Sequence, residues 1–147
     1  MSTVISPWPA LAEQAFKKVS RLEMQLRESK AKEEELNKQW LRVTNMVIEY
    51  RDKHTELERT SRLADSVNCR KFLVQLIDVS VQAERSYLRA VSVRYAMLTQ
   101  LKLARIEFEK MKKLVERDKK ASKQLADKQA QRSMEELATM RHSWRHA

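Results

Sequence analysis

Between residues 19 and 57, apolar side chains recur at alternating steps of three and four. One set of positions in this repeat is Val19, Leu26, Glu33, Trp40, Val47 and His54; the other is Leu22, Ser29, Leu36, Val43, Tyr50 and Leu57. Nine of these twelve are apolar or aromatic, the spacing of a coiled-coil seam. Ser29, Glu33 and His54 interrupt it; such polar breaks weaken a seam locally and are suited to fixing its alignment. Ser6, followed by Pro7 and Pro9, supplies an N-cap candidate and prolines suited to a first turn, so helix one is expected over about 9–59.

The repeat fades through residues 58–68, where Ser, Thr, Asp and Asn cluster, residues that compete for backbone hydrogen bonds and start new helices. A turn is expected near 60–67, with an uninterrupted helix as the alternative. A second helix is expected over about 68–141, ending in a frayed tail. Its seam is read as Leu76, Ala83, Tyr87, Ala90, Met97, Leu101, Ala104, Phe108, Met111, Val115 and Leu125, with a neighbouring stripe of Leu73, Ile77, Val81, Leu88, Val91 and Tyr95. The expectation is an all-α single domain over 1–147: a long antiparallel two-helix coiled-coil hairpin whose second helix is the longer.

Composition strengthens this reading. The chain has no glycine, and its two prolines both precede residue 10, so the residues that punctuate tight hairpin turns are missing from most of it. Charged residues make up 34% of the chain and aromatic residues only 6%, which suits two helices burying one stripe each. The net charge of +10 is unevenly placed. Residues 1–60 carry 11 Lys and Arg against 10 Asp and Glu, whereas residues 61–147 carry 19 against 10. Helix two is therefore the basic one, which points to nucleic acid, an acidic membrane or an acidic protein without choosing among them.

The candidate chemistry is thin. A phosphate-cradling loop needs glycine. One cysteine, Cys69, excludes an intramolecular disulfide and suits a reducing compartment; with no histidine close in sequence, it is not read as a catalytic thiol. His142 and His146 stand four apart but lack a third ligand nearby, so they are read as a solvated helix end. No secretory leader and no apolar stretch of membrane-spanning length is recognisable. The expectation is a soluble cytoplasmic protein that is not an enzyme and has no cofactor and no metal.

Two features could carry binding. Phe72, Leu73, Leu76, Ile77, Val79 and Val81 offer more apolar surface than one partner helix covers, either as a thicker core near the turn or as a docking face. Residues 102–132 hold 11 basic and 5 acidic side chains. That run is either a solvated helix face or a surface for an acidic or polar protein cavity. Nucleic acid is disfavoured, because acidic residues are interleaved and no groove-reading motif or aromatic stacking platform accompanies the charge.

The order of several short motifs resembles the FliJ family. They are Leu11-Ala12-Glu13, Glu33-Glu34-Glu35-Leu36, Glu49-Tyr50-Arg51, Phe72-Leu73-Val74-Gln75-Leu76 and Lys113-Leu114-Val115-Glu116-Arg117. Ala121, Leu125-Ala126 and Ser133-Met134-Glu135-Glu136-Leu137-Ala138 complete the set. The likeness covers roughly residues 11–142. It implies a soluble component of the flagellar type III protein export apparatus, folded as an antiparallel coiled coil whose joined terminal ends enter the pore of a hexameric export ATPase. It also implies contact with the export gate membrane protein, handling of export chaperones, and a position peripheral to the cytoplasmic face of the inner membrane.

On this resemblance the gate contact falls on Phe72, Leu76, Val79 and Ala83. The basic shaft in the ATPase ring would use Lys112, Lys113, Arg117, Lys119, Lys120 and Lys123. Two departures stand out: the glycine often found before helix two is missing, and Ala83 replaces a polar residue. The stalk proteins of virulence type III secretion are relatives of the same architecture. A homodimeric coiled-coil scaffold or chaperone is the alternative from outside the family.

Overall fold

The computed structural model describes residues 6–146. Two helices account for nearly all of them: α1, Trp8–Arg59, and α2, Leu63–Arg145, of 52 and 83 residues. There is no strand among the described residues. The fold is the expected all-α two-helix hairpin with the longer helix second. By its internal contacts the chain divides into two compact units. One comprises residues 20–102 and the other residues 1–19 together with 103–147.

The unit of residues 20–102 contains the turn, which is tighter than the sequence suggested. Only Thr60–Arg62 lie outside the helices, against an expected 60–67. The Arg62 N–H donates to the Leu57 carbonyl and the Ser61 N–H to the Glu58 carbonyl, at 3.2 and 3.3 Å. Ser61 sits at φ 59°. These are the two bonds and the left-handed residue of a Schellman cap, which normally uses glycine. Here a serine takes the position at a conformational cost of about 1 kcal/mol. Helix two then starts at once: the Ser66 N–H donates to the Arg62 carbonyl at 2.9 Å, and Asp65 places a negative charge against the unpaired N–H groups of the first turn. The polar cluster expected to stay irregular is thus absorbed as a helix start.

Within this unit the antiparallel sense is read directly from the pairs that meet. His54 faces Ser66, Tyr50 faces Phe72, Trp40 faces Tyr87 and Glu33 faces Arg94. As numbers fall on α1 they rise on α2. All of the twelve predicted seam positions of α1 are buried or half-buried. On α2 the inward positions are Ser66, Cys69, Leu73, Leu76, Ser80, Ala83, Tyr87, Ala90, Arg94, Met97 and Leu101. That is an unbroken alternation of three and four. Leu73, placed by sequence in a neighbouring stripe, belongs to this seam: with Val47 and Leu76 it forms a buried cluster, flanked by Val43, Tyr50 and Ile77. Leu101 is the most enclosed side chain, 1% exposed, and withdrawing it from water stabilises the fold by about 2–3 kcal/mol.

Two of the three polar breaks are answered across the seam. Glu33 forms an ion pair with Arg94, and His54 Nε2 lies 3.3 Å from Ser66 Oγ. Every enclosed side-chain nitrogen and oxygen of the described residues has a partner.

The unit that contains both termini follows the same logic. Ser6 Oγ accepts from the Trp8 N–H at 3.4 Å and donates to Asp118 Oδ2 at 2.7 Å. The first helical bond, from the Leu11 N–H, ends on the Pro7 carbonyl at 3.2 Å. Ser6 therefore serves the helix start from one residue outside the cap. Phe16 and Phe108 meet at 5.6 Å between ring centroids, while Val19 and Ala104 are buried. Half-buried positions on α2 end at Asp118; from Lys119 to His146 every residue is exposed. Leu125, assigned by sequence to the seam, is exposed because α1 begins opposite Asp118 and no described residue lies over it. The tail expected to fray past residue 141 stays helical to Arg145.

Candidate partner-binding surfaces

Two surfaces emerge, one in each unit. In the turn-bearing unit, Phe72 leans on Tyr50 with ring centroids 4.7 Å apart, and Lys53 Nζ lies 5.1 Å from the centre of the Tyr50 ring. These rings, with Leu57, Asp65 and Cys69, line a shallow groove near the turn. Cys69 is half-buried at its base, its thiol 3.7 Å from the Tyr50 carbonyl oxygen.

The four residues assigned by resemblance to the export gate do not form one outward stripe. Leu76 is 7% exposed and part of the buried cluster, and Ala83 is half-buried in the seam. Phe72 and Val79, 41% and 47% exposed, stand one position aside from the inward residues Leu73 and Ser80. The heptad explains the split: a face stepping four, three and four through these positions straddles the seam edge. The over-wide apolar stretch likewise divides. Leu73, Leu76 and Ala90 face inward, while Val74, Val81, Leu88, Val93 and Tyr95 remain exposed. Tyr50, half-buried beside the core cluster, also lines the groove, which the heptad count alone did not show. Its place in the seam, with a ring too long to be wholly enclosed, was the available signal.

The second surface lies on the unit with the termini. Lys112 lies over the Phe108 ring at 5.4 Å and 3.5 Å from Glu109, and Arg117 stands 3.9 Å from Asp118. Lys113, Lys119, Lys120 and Lys123 are exposed. Beyond Asp118 the helix also presents apolar side chains to water, among them Leu125, Met134, Leu137, Met140 and Trp144. The rings of His142 and His146 lie 4.4 Å apart, and no group of three or more potential metal-ligating side chains exists among the described residues. No helix among them is long and apolar enough to cross a membrane.

These features define an all-α two-helix hairpin whose second helix, among the described residues, runs exposed beyond Asp118. No protein-family model matches the chain, and no curated protein or solved structure matches it.

Proposed function

We propose that the protein is a FliJ-like stalk of a type III protein export apparatus. In this reading it couples a hexameric export ATPase to a membrane export gate and handles export chaperones. One observation carries the reading. In the unit holding the termini, α2 continues as a bare helix from Lys119 to Arg145 after its partner helix has started opposite Asp118. A helix that no described residue covers, rich in lysine at its root, is suited to enter a ring of other subunits. Inside a symmetric ring, one asymmetric helix contacts the subunits unequally and so shifts their conformational populations. The basic side chains Lys112, Lys113, Arg117, Lys119, Lys120 and Lys123 would meet acidic or polar ring surfaces. Phe72 and Val79 are the members of the gate stripe accessible to a partner. Recruitment through such contacts would hold the protein at the cytoplasmic face of the inner membrane.

The test is the ATPase activity and hexamer content of the cognate export ATPase with and without this protein. Stimulated turnover and more hexamer are expected, and replacing Lys119, Lys120 and Lys123 with glutamate should abolish the stimulation. No change on adding the wild-type protein would refute the stalk role. A virulence secretion stalk remains the second reading, since the same extension would serve it; export assays in flagellar and virulence mutants separate the two.

A further inference from the structure

The bare end of α2 carries a heptad of its own. The hairpin seam on α2, continued past Asp118 in steps of four and three, would fall on Ser122, Leu125, Gln129, Arg132, Glu136 and Thr139, all but one of them polar. One residue along lies a stripe that is apolar but for one serine. Ala126, Ala130, Ser133, Leu137, Met140 and Trp144 follow one another in steps of four, three, four, three and four, which again aligns them on one face. All six are exposed, Leu137 by 58% and Trp144 by 84%, and no described residue covers them. The shift means that this stripe is not an overrun of the hairpin seam but a separate one.

We propose that this stripe binds the same stripe of a second copy of the chain, antiparallel, as a tail-to-tail coiled coil. The occupant is chosen by how the residues layer. Run antiparallel about Glu135, the stripe sets Trp144 against Ala126 of the second copy, Met140 against Ala130 and Leu137 against Ser133. Each large side chain meets a small one, which keeps the helices evenly spaced. A parallel pair would stack Trp144 on Trp144 and Ala126 on Ala126, wide at one end and narrow at the other. Charge agrees with the antiparallel arrangement. Asp127 follows Ala126 and Arg141 follows Met140, so the two occupy equivalent flanking positions on one side of the stripe; in an antiparallel seam such same-side flanks face each other, which sets each Asp127 beside the Arg141 of the other copy, twice per dimer. The one like-charge meeting is Glu136 with its counterpart. The stripe spans about 28 Å of helix at 1.5 Å per residue, a small interface, so reversible association is expected. This pairing does not depend on the export reading, but it would occupy the segment that reading sends into the ring.

Sedimentation equilibrium of the full chain, with Cys69→Ser to exclude disulfides, tests it. A monomer–dimer equilibrium is expected, weakened roughly tenfold by Arg141→Asp, which turns two attractions into repulsions. Adding Asp127→Arg to that variant should restore the wild-type constant. Trp144→Ala should weaken the dimer without changing helicity by circular dichroism. A chain that stays monomeric at high concentration overturns the proposal, whether or not it sediments with anionic vesicles or binds another protein. So does a dimer insensitive to Arg141→Asp. Rescue by Glu136→Arg rather than Asp127→Arg also overturns it, because the parallel arrangement pairs Glu136 with Arg141.

Discussion

Replacing both Glu33 and Arg94 with leucine should leave the hairpin as stable as the wild type, or more so, whereas replacing Arg94 alone should destabilise it. The two side chains meet across the seam, 16% and 27% exposed, so most of each is withdrawn from water. At contact distance and an effective dielectric near 20 their attraction is roughly 4 kcal/mol. Withdrawing two charges from water costs several kcal/mol per ion, so the pair nets close to zero. Arg94→Leu removes the attraction but leaves the Glu33 carboxylate in the seam, at a cost of about 2 kcal/mol, less than for a fully buried pair because water still reaches it. The double variant removes both costs and adds two leucines at inward positions. Urea unfolding followed by circular dichroism at 222 nm measures all three proteins, and the double-mutant cycle isolates the coupling. If the double variant were as unstable as Arg94→Leu, the pair would be a net source of stability, and the argument from desolvation would be wrong.

Other outcomes follow from single features. Ser61→Gly relieves a left-handed serine in the Schellman cap and should stabilise by about 0.5–1 kcal/mol in the same unfolding assay. Leu101→Ala empties the most enclosed position and should cost about 3 kcal/mol. Phe72→Ala removes a ring that is 41% exposed but packed at a tilt against Tyr50. It should cost only about 1–1.5 kcal/mol, so loss of gate binding by a folded variant can be told from unfolding by circular dichroism. Truncation after Lys120 removes, among the described residues, only exposed ones and should move the unfolding free energy by no more than about 0.5 kcal/mol.

The seam of α1 was legible residue by residue because its nine apolar members keep strict heptad spacing, and even Ser29, Glu33 and His54 lie where the count put them. The seam of α2 was legible only in part. Ser66, Cys69, Ser80 and Arg94 are inward positions with polar or small side chains, and a search for apolar residues passes over them. Their identity makes sense only beside the partner helix: Ser66 opposite His54 and Arg94 opposite Glu33. The turn was misjudged for a related reason. Helix stops are read from glycine, and here serine takes the left-handed position while the polar residues after it serve as the next helix's first turn. Leu125 was assigned inward because the count continued past the last residue that α1 covers. Of the gate stripe, spacing alone could not say that Leu76 and Ala83 point inward, since a four-three-four run fits either side of a seam edge.

The change of register after Asp118 separates two demands on one helix. Up to that residue the inward positions must match α1, and their polar members are tied to specific partners. After it no described residue covers the helix, yet its largest apolar side chains, Leu125 and Met134 apart, do not scatter. They re-form one residue along, with Trp144 and Met140 at one end and Ala126 and Ala130 at the other. A solvated extension kept only for helicity would favour alanine, glutamate and lysine throughout and would have no use for a tryptophan 84% exposed. Exposed tryptophan and leucine are disfavoured on a surface without a partner. On the tail-to-tail pairing proposed above, the extension is an interface whose energetics are decoupled from the hairpin. Substitutions in it should alter association while leaving unfolding unchanged, and substitutions in the seam should do the reverse.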